Sequence, residues 1–393
     1  PDGPFVVDGA STGGACSDAH TVAQAESTGT PWCTLGRAAQ AAPDGSTVLV
    51  RAATYPLTTI DGTIGTRHLT FKPYGDDKPV LDGLTVTNSS FLRFERFRIK
   101  DVTDLDQVSE IQLVGNDISP HDVRVGTGRD LLFEDNHIHD LTMQLDPASG
   151  RCVQPRCGYG FRIMNGVGLT FRGNTFRRIP ADGIQTGTAE RYVIEDNLFE
   201  DITAFVDPAE HSDAIQFYGG SRDVVLRRNT FRQTRGPLFY GQAHRAAQHD
   251  LTIENNLFVN QRDWGIRIFN APGLRLLNNT VWNARTGVLV NDDATIPDKT
   301  TGAIIVNNIL DGLEAKASQI AREDHNLIAS GYRAGPNDIA GPPRFVDAES
   351  GDYRLAGGSP GIDAGTSDGT PATDRVGNGR VDTAGIPNTG GGS

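Results

Sequence analysis

From about Val48 to Leu355 the chain is written in short apolar/polar alternations, each closed by Asn or Gly, with no long stretch of helical periodicity. Alternation at a period of two marks strands with one buried face. One phrase keeps returning: "LVGND", "FEDNHI", "FRGNTF", "IEDNLF", "LRRNTF", "IENNLF", "LLNNTV" and "IVNNIL". Its asparagines are Asn116, Asn136, Asn174, Asn197, Asn229, Asn256, Asn279 and Asn308, at intervals of 20 to 38 residues. Short strands recurring at such a period predict a solenoid. An asparagine once per coil predicts a ladder of side-chain amides at one corner, with rungs about 4.8 Å apart.

The flanks read differently. "TLGRAAQAA" (Thr34 to Ala42) has helix-forming composition, so residues 1–47 are expected to hold a helical cap over the open end of the core. "STVLVRAATYP" is a natural first strand of the solenoid domain, expected to span 48–355, and residues 356–393 are expected to form a Gly/Pro-rich tail or linker ending in "GGGS". The chain starts at Pro1 with no signal peptide, which reads as a processed or trimmed chain. Acids at Asp374 and Asp382 in "DRVGNGRVD" lack the regular oxygen spacing of a calcium loop and are expected to form a turn.

The asparagine phrase, together with the closing segment "RFVDAESGDYRLAGGSPGIDAG", resembles a right-handed parallel β-helix. That all-β solenoid is the scaffold of pectate lyases, chondroitinase B and alginate lyases, mannuronan epimerases and galacturonases. The resemblance covers most of the chain and implies a polysaccharide as substrate without carrying over any one catalytic set.

Composition narrows the function classes. A formal charge of -13 over 393 residues argues against extended binding of nucleic acid or an anionic membrane. No apolar run approaches the ~18 residues of a membrane-spanning helix. Four cysteines fall as close pairs, Cys16 with Cys33 and Cys152 with Cys157, and no Cys/His metal spacing accompanies them. Two local disulfides and a secreted, extracellular protein are expected, acting as a monomer.

Stacking the strands that follow each asparagine corner brings the chemistry into view: "GYGFRI", "ADGIQT", "SDAIQF", "GPLFYG", "DWGIRI", "RTGVLV". In this alignment Phe161, Ile184, Ile215, Phe239, Ile266 and Val288 point inward, and Arg162, Gln185, Gln216, Tyr240, Arg267 and Leu289 form an outward column. Two permanent cations and several donors in one column read as a substrate cleft. Long insertions at Asp140 to Cys157 and at Thr203 to His211 enter on the same side and can wall it.

Two reactions fit such a cleft. An elimination needs a cation on the uronate carboxylate, a base, and an acid for the leaving oxygen. Arg267 or Arg162 suits the first role, His211 the second and Tyr240 the third. A hydrolase needs paired carboxyl groups, which Asp182 and Asp213 with Glu210 and Asp263 can supply. Gln185, Gln216, Tyr218, Arg235, His244 and Trp264 are candidate substrate contacts, the indole as a sugar-stacking platform. The same cleft also fits a non-catalytic glycan-binding solenoid. No cofactor is expected, and calcium has no specific support in the residues.

Overall fold

The computed structural model describes residues 4–153, 156–203, 212–240, 246–331, 335–383, 385, 387 and 389–390. The chain divides into two compact units, one of residues 1–187 with 202–211, the other of 188–201 with 212–393.

Each unit is a stack of coils whose strands pair in parallel and in register. In the first unit Thr103 lies against Val123 and Val123 against Phe161, and the neighbouring rank runs Asp104, Arg124, Arg162. In the second, Ile215, Leu238, Ile266, Val288 and Leu313 form one rank, all buried. The stack begins before Val48: Phe5–Val7 pairs in parallel with Thr47–Val50. One α-helix is present among the described residues, the seven-residue Leu35–Ala41, whose first turn is capped by the Thr34 side chain accepting from Arg37 N–H. The helix expected from "TLGRAAQAA" therefore forms, but it is short. The last antiparallel pair, Phe345–Asp347 with Asp352–Leu355, belongs to the closing segment.

The asparagine ladder accounts for the repeat. In the first unit Asn116 Nδ2 donates to Asn136 Oδ1 and Asn136 Nδ2 to Asn174 Oδ1, each at 3.0 Å. In the second the chain of amides runs Asn197, Asn229, Asn256, Asn279, Asn308 at 2.9 to 3.1 Å. It continues to Asn326 at 2.9 Å and ends on Asp338. Each side chain also accepts from the backbone N–H of the asparagine one coil earlier, for example Asn229 N to Asn256 Oδ1 at 2.9 Å. Every ladder asparagine is buried, so these bonds replace water completely. The residue before each one turns the corner at positive φ, as Gly115 (63°), Asp135 (52°), Arg228 (56°) and Asn307 (59°) do. Aromatic rings stack inside the coils, Phe199 on Phe231 at 4.9 Å and Phe231 on Phe258 at 4.5 Å between centroids.

Both cysteine pairs are bonded, Cys16 to Cys33 and Cys152 to Cys157. Among the described residues no helix is long and apolar enough to cross a membrane. In "DRVGNGRVD" the Asp374 carboxylate accepts from the backbone N–H of Val376 and Asn378, closing the expected turn.

Candidate functional site

In the second unit the outward rank reads Gln216, Phe239, Arg267, Leu289, Glu314. This corrects the expected column at one coil. Tyr240 shares its rank with Phe217 and Ile268, both fully buried, and Leu238 takes the core place assigned to Phe239. The strand Gly236–Tyr240 begins one residue earlier against its neighbour than the text alignment supposed, because Asp213 pairs with Gly236. A one-residue slip exchanges the two faces of a strand.

Around Arg267 the side chains converge. Its guanidinium carbon lies 4.3 Å from the centre of the Trp264 ring, and that of Arg235 lies 5.7 Å from the same ring. Arg235 Nε donates to Asp263 Oδ2 at 2.6 Å, whereas Arg267 makes no ion pair among the described residues. Trp264 Nε1 and Arg267 Nε are both buried, and neither makes a hydrogen bond among the described residues. The floor below them is bare because Gly236 has no Cβ: one placed there would lie 2.2 Å from Trp264 Nε1 and 2.3 Å from Asp213 Oδ1. Only glycine lets the indole N–H and the carboxylate settle onto the strand. Asp213 itself is fully buried and Gln216 nearly so, whereas Tyr218 is half-buried.

The first unit carries a related arrangement. Arg162 lies 5.4 Å from the Tyr159 ring, and its buried Nε has no hydrogen-bond partner among the described residues. Tyr159, Cys157 and Ala181 form a small buried cluster against which Met143 and Cys152 pack, so the disulfide loop is seated on the coil below it. Asp182 is buried and accepts from Gln185 Nε2 at 2.9 Å. Asp182 and Asp213 are thus each buried within their own unit. Glu210, His211 and His244 lie outside the described residues.

The sequence reading missed Asp122. It is fully buried and accepts from the backbone N–H groups of Gly158 at 2.9 Å and Cys157 at 3.3 Å, tying the disulfide loop to the strand Val123–Arg129. Burial pushes its carboxyl up to about 7, against the opposing pull of these N–H groups and of Arg162. Its neighbour His121 is held below its usual value by burial, although Asp101 lies 4.0 Å away. The sequence carries a signal for it: "PHD" stands directly before a strand as "EHSD" does.

With the geometry in place, comparison with known proteins places the fold. The profile described as "Right handed beta helix region" matches residues 82–281 and 211–333, well over half the chain. The chain belongs to the right-handed β-helix family. Among solved structures, this β-helix is similar to a mannuronic acid specific polysaccharide family 6 lyase from human gut microbiota: 15% identity, 78% of this chain and 87% of that one covered, TM-score 0.53. It is also similar to the GH136 lacto-N-biosidase from Eubacterium ramulus: 11% identity, 86% and 67% covered, TM-score 0.49. No curated protein matches the sequence.

Proposed function

We propose that this β-helix protein is a secreted enzyme that cleaves a uronate-bearing polysaccharide by β-elimination in the groove of its second unit. The observation that carries the reading is the Arg267–Trp264 pair, a guanidinium carbon 4.3 Å from the centre of an indole ring, with no ion pair to Arg267 among the described residues. A uronate carboxylate on Arg267 neutralises that cation, while the indole offers its face to the pyranose ring. The cation matters most in the transition state, because removing the proton beside the carboxylate throws charge onto the carboxylate oxygens.

In this proposal His211 takes that proton, the bond from the next ring carbon to the glycosidic oxygen breaks, and a double bond forms between the two carbons. The leaving oxygen needs a proton. The sequence offers Tyr240, whose backbone pairs with Phe217 and Ile268. We assign the role to Tyr218, half-buried and one residue beyond the strand Asp213–Phe217. The reaction needs no cofactor, since Arg267 supplies the charge, and the protein is read as acting as a monomer. The mannuronic acid specific lyase on a similar fold is consistent with a uronate, and two disulfides support secretion.

Digestion of a panel of acidic and neutral polysaccharides tests the reading, following ultraviolet absorbance at the unsaturated-uronate band and reducing ends together. Both signals rise for an elimination. Reducing ends without the absorbance identify a hydrolase and overturn the proposal. Binding with neither product leaves a glycan-binding solenoid and overturns it equally.

A further inference from the structure

The outward rank of the second unit does not stop at Arg267. It continues through Leu289 to Glu314, and Glu314 lines a cavity of about 800 Å³. That volume falls within the roughly 300–1,000 Å³ of ligand pockets. The walls come from Arg262, the strand end and turn of Trp282 to Gly287, and Asp311 to Glu314 of the strand Ile309–Glu314.

Three features give the cavity a chemistry. Part of its lining is bare backbone at Gly287 and Gly312, which lie so close that a Cβ on Gly287 would meet the Gly312 carbonyl oxygen at 2.3 Å. Trp282 stands in the wall, held at 71° against Phe345 with ring centres 5.6 Å apart. The cations differ in their engagement. Arg262 is paired with Asp201 at 3.3 Å, whereas exposed Arg285 has no hydrogen bond or ion pair among the described residues. The Asp311 carboxyl is turned to the protein, accepting from Ala284 N–H at 2.6 Å, and burial raises its pKa. Arg285 is therefore the cation left for a ligand.

We propose that this cavity is an anchoring subsite for a second uronate-bearing stretch of the same polysaccharide, with Trp282 against a sugar ring and Arg285 on its carboxylate. The inference rests on the groove at Arg267 taking an acidic glycan, and it adds where the chain continues. A subsite away from the reacting bond holds the polymer without taking part in the chemistry, so it lowers KM and leaves kcat alone.

The test is affinity gel electrophoresis of the whole chain in alginate, polygalacturonate and a neutral glucan, with wild type, Arg285→Gln and Trp282→Phe. Arg285 sits on an exposed turn, so its substitution leaves the fold intact. The expected result is retardation of wild type by an acidic polymer, with dissociation constants raised about tenfold in Arg285→Gln, a factor an isolated charge-assisted contact supplies. Trp282→Phe keeps an aromatic face and should stay near wild type. Equal retardation of wild type and Arg285→Gln, or no retardation of wild type by any acidic polymer, overturns the subsite. Arg285-dependent retardation without any cleavage product sinks the catalytic reading and leaves this one standing.

Discussion

At the scale of the residue, the candidate site holds polar atoms buried without a hydrogen bond among the described residues. Arg267 Nε and Trp264 Nε1 are the clearest, and they sit against each other. Arg267→Gln removes the charge while keeping a planar amide. Turnover on the cleaved polymer is expected to fall by about 10²-fold or more, the size associated with losing one preorganised stabiliser of developing charge. A fall in KM-limited rate alone, with kcat unchanged, would reduce Arg267 to a binding contact. Asp122 makes a different prediction. Its carboxyl titrates at about 7 in the folded protein against an ordinary 3.8, so between those values the native state holds a proton that the unfolded chain releases. Stability from this group is therefore present at low pH and lost as pH rises through the window, on the order of a few kcal/mol at full ionisation. Asp122→Asn should gain on wild type in denaturant midpoint between about pH 4 and pH 7. A constant difference across that range would show that the carboxyl ionises normally. Arg267, Trp264 and Gln216 stand in the strand repeats that the sequence itself displays. What stayed hidden was register. Whether Phe239 or Tyr240 joins the outward rank depends on one residue of offset, and "GPLFY" is apolar on both faces, so no alternation fixes it.

At the scale of the element, the coil is held by its asparagine corner more than by its turns' composition. Left-handed φ at the preceding position is met by Asp135, Arg228 and Asn307 as well as by Gly115, so glycine is not required there. The asparagine is. Asn229 receives the amide of Asn197, donates to Asn256 at 3.0 Å, and gives a second hydrogen to the Ile194 carbonyl at 2.7 Å. Asn229→Ala takes the acceptor from Asn197 N–H and Nδ2 and removes the donations to the Ile194 carbonyl and to Asn256 Oδ1, which keeps the Asn229 N–H, in a dry corner. The expected cost is ~1–3 kcal/mol for each buried group left without a partner, partly relieved if a water enters. Chemical denaturation at fixed pH measures it, and an unchanged midpoint would mean that the ladder carries no net stability. The ladder was legible because its period is carried by one residue type. Asn326, its continuation, escaped notice because "EDHNLI" ends in neither of the repeat's usual closings, and its partner is the carboxylate of Asp338 rather than another amide.

At the scale of the whole molecule, the segment after Leu355 reads in the sequence as a tail or linker, and composition alone offers no reason to expect otherwise. The structure lays it along the second unit's asparagine corner. Thr366 N–H and carbonyl oxygen bracket the Asn307 side chain at 2.9 and 2.7 Å. Arg322 pairs with Asp368 at 3.0 Å, and Arg275 donates to the Gly369 carbonyl at 2.9 Å. Farther on, Asn255 donates to Thr373 and Arg380 donates to Asn255 at 2.8 Å, so the strap crosses several coils. Asn255 and Asn307 are the corner residues standing just before ladder positions, where the chain turns at positive φ and leaves its side-chain amides facing outward. In the sequence those amides look like solvated loop residues; their partners lie 59 to 125 residues away, beyond the reach of any local pattern. Burial lowers the Arg380 pKa, as it does for a cation pressed against protein rather than left in water. The strap covers the edge of a stack that would otherwise present polar side chains and backbone to solvent. Deleting residues 364–393 should therefore lower the melting temperature by several degrees, while leaving cleavage at Arg267 measurable below the transition. Circular dichroism melts of the two chains, with activity assayed at low temperature, decide it. Equal melting temperatures would return the segment to the status of a linker, and a truncated chain with the same melt but no activity would instead tie the strap to the site.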